Sequence, residues 1–220
     1  RMDIAQMAAD LEQLIEHHQL ESVTLVGHSM GALTLWEYIR QYGCQRLAGI
    51  CVVDQSPKLI TDNDWQHGIY GEFDQAANTR LIDRLRDNFA EGLLHLVAHG
   101  YNRKSLDNYQ RNSRGFQQMR EHLQQLNAEP LVRCWESLSA QDYRPVLGDI
   151  TVPALLIYGD ESQFYSTQVA DYVAQQIPQA QLHTYEQSDH SPQLWHRERF
   201  VYDLKRFTDS LALPSLSAPT

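Results

Sequence analysis

Cysteine is scarce in this chain of 220 residues: there are three, Cys44, Cys51 and Cys134. The number is odd and none forms a Cys-x-x-Cys pair, which excludes a disulfide framework and a zinc ribbon. Buried thiols in a reducing cytoplasm fit that usage. Positive charge is in deficit, with 18 Lys and Arg against 28 Asp and Glu and a formal net charge of −10. That balance argues against a nucleic-acid partner and against an anionic membrane surface. No apolar run is long enough to span a bilayer, and the first residues show no basic-then-apolar leader pattern. His-Glu-x-x-His is absent. His95 and His99 stand four apart but lack a third ligand nearby, so they read as one face of a helix rather than a metal site.

What is present is one motif around which the rest can be ordered. Val23-Thr24-Leu25-Val26 runs straight into Gly27-His28-Ser29-Met30-Gly31, and a helix-compatible stretch follows from Ala32 to Tyr42. Strand, Gly-x-Ser-x-Gly and helix in that order is the context of a nucleophile elbow. A turn this tight holds the serine in a strained backbone conformation, and glycines two before and two after relieve the crowding. The following helix points its N-terminus at the reacting centre, where free N–H groups and the dipole favour an oxyanion.

The Gly-His-Ser-Met-Gly form resembles that of the small, cap-bearing bacterial esterases of the α/β-hydrolase superfamily, and the resemblance extends to about Leu211. It implies an α/β-hydrolase fold, a mostly parallel doubly wound sheet with an inserted helical cap. The apolar fraction of 42% suffices for such a core. Asp3 to His18 reads as an amphipathic helix with Ile4, Met7, Leu11, Leu14 and Ile15 on one stripe and Asp3 as N-cap. In the resembled family this helix lies just before the nucleophile strand. Several strands and a loop with a His-Gly oxyanion motif should precede it, so the chain looks N-terminally incomplete. The His99-Gly100 pair lies downstream of the serine, and Gly100 reads as a helix C-cap.

Four strands are expected, starting at Val23, Leu47, Ala154 and Gln181. Such a sheet leaves an edge where upstream strands would pair. The segments divide as hydrolase core 1–61, helical cap 62–144, core again 145–211 and a tail 212–220, frayed from Pro214 on. Within the cap, 76–99 reads as one or two helices and 114–127 as another. Trp65, Tyr70, Phe73, Phe116, Met119 and Trp135 are candidates to line an acyl pocket. Trp65 and Trp135 are the two assigned to substrate, and together the six imply a substrate with an apolar part.

The resemblance also frames the triad. His190 lies in the loop after the last strand, at the family's histidine position. The family's acid often follows the third of these strands as Gly-x-x-Asp, but here that slot, counted from Gly159, is Ser162. A branch with Gly-x-x-Ser takes its acid from the earlier strand in a Val-Asp-x-Ser/Ala-Pro setting. Val53-Asp54-Gln55-Ser56-Pro57 fits that setting, which favours Asp54, with Asp160 and Glu161 as the alternative. The expected chemistry is hydrolysis of a small-molecule carboxylic or thioester through an acyl-enzyme. Ser29 is the nucleophile, His190 the base, Asp54 the acid, and the Met30 N–H one oxyanion donor, with no metal or organic cofactor. C–C hydrolysis, perhydrolysis, and a non-catalytic ligand-binding role on the same scaffold remain open.

Overall fold

The computed structural model describes residues 2–212; the expected frayed tail from Pro214 onward lies outside them. The order is α1 (Ile4–His17), β1 (Val23–His28), α2 (Met30–Tyr42), β2 (Leu47–Val53) and a 3₁₀ turn (Ile69–Gly71). Then follow α3 (Gln75–Asp87), α4 (Phe89–Ala98), α5 (Arg103–Gln110), α6 (Arg114–Leu123), α7 (Ala128–Ser139) and α8 (Arg144–Leu147). The chain ends with β3 (Ala154–Gly159), α9 (Thr167–Gln176), β4 (Ala180–Tyr185), α10 (Pro192–Trp195) and α11 (Arg197–Leu211).

The four strands pair in parallel in the order β1-β2-β3-β4. β2 and β3 are apolar almost throughout because both of their faces are covered. Side chains alternate between the faces: Ile50, Val52, Ala154, Leu156 and Tyr158 join the larger core with α1, α2 and α9. Cys51, Val53, Leu155 and Ile157 point the other way, onto Phe207, Leu204 and Leu211 of α11. β1 is an outer strand of this sheet, and Val26 on it is 49% exposed. Among the described residues no helix is long and apolar enough to cross a membrane.

Asp3 caps α1 by accepting from the Gln6 N–H at 2.9 Å. Ile4, Ala8 and Ile15 are buried, whereas Leu14 is exposed. Leu14 lies one residue, about 100° of helix, off the line facing α2, so it drops out of the expected stripe. The stretch 76–99 forms two helices because Asn88 sits between them in extended backbone. Its N–H closes α3 onto the Arg84 carbonyl, and its side chain opens α4 by accepting from the Glu91 N–H. The helix expected over 114–127, α6, stops at Leu123. Gly100 follows α4 at φ +122°, where an added Cβ would meet the Gln163 carbonyl oxygen at 2.1 Å. The described residues close with two helices, α10 and α11, parted at His196 (φ −113°, ψ 50°).

Between β2 and β3 the helices α3 to α7 pack chiefly on one another. The segment leaves and returns side by side: Lys58 and Asp142 form an isolated antiparallel bridge, and the Tyr143 N–H donates to the Pro57 carbonyl at 2.8 Å. All three cysteines are buried free thiols.

Candidate active site

β1 ends at His28 and α2 begins at Met30, so the whole turn is Ser29, at φ 54° and ψ −120°. The Ser29 N–H donates to the Val53 carbonyl at 3.1 Å, tying the turn to the end of β2. Gly27 is required by contact: a Cβ there would lie 2.6 Å from the Ala32 nitrogen and from the Gly31 carbonyl group. Gly31 is not, because a Cβ there meets nothing within 4 Å. The paired-glycine expectation therefore holds on one side of the serine only. The Met30 N–H belongs to the first turn of α2, among the groups that a helix leaves without an intrahelical partner.

Asp54 follows β2, fully buried, with φ 46°. Its Oδ2 accepts from His190 Nδ1 at 2.6 Å and from the Ser162 hydroxyl at 2.7 Å. Its Oδ1 accepts from the Gly159 N–H at 3.2 Å. Ser162, the residue in the commoner acid slot, thus holds the Asp54 carboxylate in place, a contact the sequence did not reveal. Its hydroxyl is itself approached by the Phe164 and Tyr165 N–H groups, each at 3.4 Å. Asp160 does not reach His190; its Oδ1 accepts from the Ser188 N–H at 3.3 Å. Glu161 pairs with Lys104 at 3.0 Å on the surface.

The histidine loop is held from several sides. Gly159 lets it lie against β3, since a Cβ there would meet the Ser188 and Asp189 carbonyl oxygens at 2.3 and 2.2 Å. The His190 N–H donates to Gln163 Oε1 at 3.1 Å, and Phe164 meets the His190 ring edge-on at a centroid distance of 4.6 Å. His28, the second residue of the motif, donates from Nε2 to the His190 carbonyl at 2.7 Å. Burial pushes the His28 pKa below its ordinary value, and the neighbouring His190 adds to the shift. A neutral His28 can make this bond, as Nε2–H is a donor in one neutral tautomer.

Ser29, Met30 and His190 line one cavity of about 280 Å³ with His28, Leu33, Gln55, Leu59, Ile69, Leu93, Leu96, Val97, Trp135, Leu138, Phe164 and Tyr165. Of the six aromatic and Met candidates only Trp135 is there, its Nε1–H donating to Asn78 Oδ1 at 2.8 Å. Trp65, expected to meet substrate, lies outside this cavity as a buried core residue. A local bridge with Asp62 turns its ring onto Tyr172 of α9, Arg144 lies over it, and its Nε1–H donates to the Lys58 carbonyl. Phe116 is buried with α4, and Met119 is 40% exposed. Tyr70 and Phe73 border a separate cavity with Arg80, Arg84 and His95. Much of the apolar wall comes instead from Leu93, Leu96 and Val97 of α4, a stretch the sequence offered only as helix. His95 and His99 stack at 3.8 Å, and among the described residues no group of three or more His, Cys, Asp or Glu is placed to hold a metal.

A family model described as alpha/beta hydrolase fold matches residues 1–197, and the chain belongs to that family. It is 30% identical over 212 residues to a non-heme chloroperoxidase of Kitasatospora aureofaciens, covering 93% of this chain and 74% of the relative. It is 25% identical over 205 residues to a pimeloyl-[acyl-carrier protein] methyl ester esterase of Vibrio parahaemolyticus, covering 93% and 76%. In fold it is similar to an esterase from Exiguobacterium antarcticum, with a TM-score of 0.78 and 20% identity over 94% of this chain and 74% of that one.

Proposed function

We propose that the protein is a serine hydrolase that cleaves a carboxylic ester or thioester of a small molecule through an acyl-enzyme on Ser29. The observation that carries this reading is the 2.6 Å contact from His190 Nδ1 to the buried Asp54 carboxylate, with His190 lining the same cavity as a serine at a one-residue strand–helix turn. An ionised Asp54 accepts from Nδ1–H, which leaves Nε2 of His190 with the lone pair needed to take the Ser29 proton. Ser29 Oγ then attacks the ester carbonyl carbon, and the developing oxyanion is met by the Met30 N–H and the N-terminal end of α2. His190 returns the proton to the leaving group, Asp54 stabilising the imidazolium meanwhile. Water, deprotonated by His190, releases the acid and restores Ser29. A neutral His28 keeps a second positive charge away from that imidazolium. The helices α3 to α7 act as a cap, with Trp135 and the α4 leucines against the substrate's apolar part.

Labelling with a fluorophosphonate probe tests this, followed by rates on p-nitrophenyl esters of graded acyl length. Labelling confined to Ser29 and turnover of short apolar esters are expected. No labelling overturns the reading in favour of a non-catalytic ligand-binding protein. The similarity to a chloroperoxidase favours a second reading, perhydrolysis, in which hydrogen peroxide takes the acyl group in place of water. Peracid formed from ester plus peroxide, and lost in Ser29→Ala, would support it.

A further inference from the structure

The cavity wall is apolar apart from the groups already used and one more. Gln55, directly after Asp54, lines the cavity and is 2% exposed. Its Oε1 accepts from the Ser56 N–H at 2.9 Å and from the Tyr165 hydroxyl. A backbone N–H can only donate, so the Ser56 contact fixes which end of the amide is oxygen. That oxygen has both lone pairs occupied. Nε2, the other end, has no hydrogen-bond partner among the described residues. The main chain is pinned too, the Gln55 carbonyl accepting from the Tyr158 hydroxyl at 2.6 Å. An amide donor pair is therefore held rigidly in the cavity wall with no hydrogen-bond partner among the described residues.

We propose that Gln55 is a specificity residue that reads a neutral acceptor oxygen of the substrate, an ether, keto or hydroxyl oxygen a few bonds from the scissile carbonyl. This rests on the ester-hydrolase reading of Ser29. The spacing follows from the strands. The Ser29 N–H is bonded to the Val53 carbonyl, and Gln55 is two residues further, at most about 7 Å of chain. Neutrality follows from the lining, which contains no Lys or Arg to accompany a carboxylate. An all-hydrocarbon chain leaves the Nε2 donors buried and unbonded, whereas an oxygen at the same place satisfies one of them. Sites built to hydrogen-bond an occupant discriminate against the analogue that lacks the partner atom.

The experiment compares esters that differ by one oxygen in place of one methylene. On the acyl side, p-nitrophenyl pentanoate is set against the ethoxyacetate and the 3-methoxypropanoate; on the alcohol side, butyl acetate is set against 2-methoxyethyl acetate. Each kcat/KM is divided by the rate constant for hydroxide-catalysed hydrolysis of the same ester. One oxygen position is expected to be preferred by about tenfold. Gln55→Met removes that preference. Gln55→Glu removes it as well while keeping the oxygen that Ser56 and Tyr165 bond, which separates reading from packing. Binding of hexan-2-one and 4-methoxybutan-2-one, followed by tryptophan fluorescence with Trp135 in the wall, repeats the comparison without turnover. Esters cleaved with no oxygen preference above about twofold, or a preference that survives in Gln55→Met, overturn the inference and leave the hydrolase reading standing. Ketones discriminated through Gln55 with no ester cleaved overturn the hydrolase reading and leave Gln55 as the reader of an oxygen in a bound ligand.

Discussion

The sharpest perturbation is Asp54→Asn set against Asp160→Asn. Asp54 gives one oxygen to both His190 Nδ1 and Ser162, and the other to the Gly159 N–H. Asparagine keeps one acceptor and turns the other position into a donor. If the amide keeps its oxygen toward Gly159, its NH₂ faces His190, and the imidazole must present Nδ1 as acceptor. Nε2 then carries the proton and cannot take one from Ser29. If the amide flips, its NH₂ opposes the Gly159 N–H instead, and the imidazolium still loses its counter-charge. A triad acid lost in this way costs about 10⁴ in turnover, close to 5.5 kcal/mol of barrier. Asp160 only accepts from the Ser188 N–H at 3.3 Å, a bond that the asparagine carbonyl reproduces, so its substitution costs at most about threefold. Steady-state rates on one p-nitrophenyl ester give the comparison, with the loss at Asp54 expected in kcat and little change in KM. A thousandfold loss in Asp160→Asn, or more than a tenth of the activity kept in Asp54→Asn, refutes the assignment.

Ser29→Ala should abolish both probe labelling and turnover with an unchanged circular dichroism spectrum; near wild-type turnover would remove the serine from the chemistry. Ser162→Ala deletes a hydrogen bond to a charged group, worth about 1.5–3 kcal/mol, and should lower kcat roughly tenfold, with no such loss if Ser162 is incidental to Asp54. Gly27→Ala forces a Cβ to 2.6 Å from backbone and should cost about 3 kcal/mol or more in denaturant melts, whereas Gly31→Ala should melt within about 0.5 kcal/mol of wild type; equal effects would contradict the turn geometry. His28 has a lowered pKa in the fold, so the unfolded chain binds more protons just below the ordinary value of 6.5. Stability should therefore fall as pH drops below about 6.5 and level off beneath the folded pKa, with that component missing in His28→Asn; an unchanged pH dependence in the variant would show that other groups produce it.

Residues whose role depends on neighbours in the chain were legible. The strand running into Gly27-His28-Ser29 announces its own turn, the unbroken apolar runs of β2 and β3 announce two covered faces, and Val53-Asp54 marks a strand end. Residues whose role depends on the far side of the fold were not. Trp65 and Trp135 look alike in sequence, and only the bridge between Asp62 and Trp65 turns one of them onto α9. Leu93, Leu96 and Val97 carry a helical period that marks α4 as buried without saying that it faces Ser29. Ser162 reads as a missing acid until the strand pairing sets it beside the Asp54 carboxylate. Nothing apolar marks α5, which buries no residue; α7 buries Val132, Cys134 and Leu138, but Pro130 in its first turn masks the start of that stripe.

Ser29 and Asp54 both sit at positive φ, each in the first position past its strand. Neither dihedral is one that a free chain prefers, at roughly 1–2 kcal/mol apiece. What holds them is the neighbouring strand: the Ser29 N–H bonds the Val53 carbonyl, and the Asp54 N–H bonds the Ile157 carbonyl at 2.9 Å. Ser29 and Asp54 are thus the last links of two adjoining ladders. On refolding, both must wait until β1, β2 and β3 have met in register, so recovery of activity should lag behind recovery of helix. On heating, fraying at the tips of these strands should extinguish activity while the rest of the sheet is still paired.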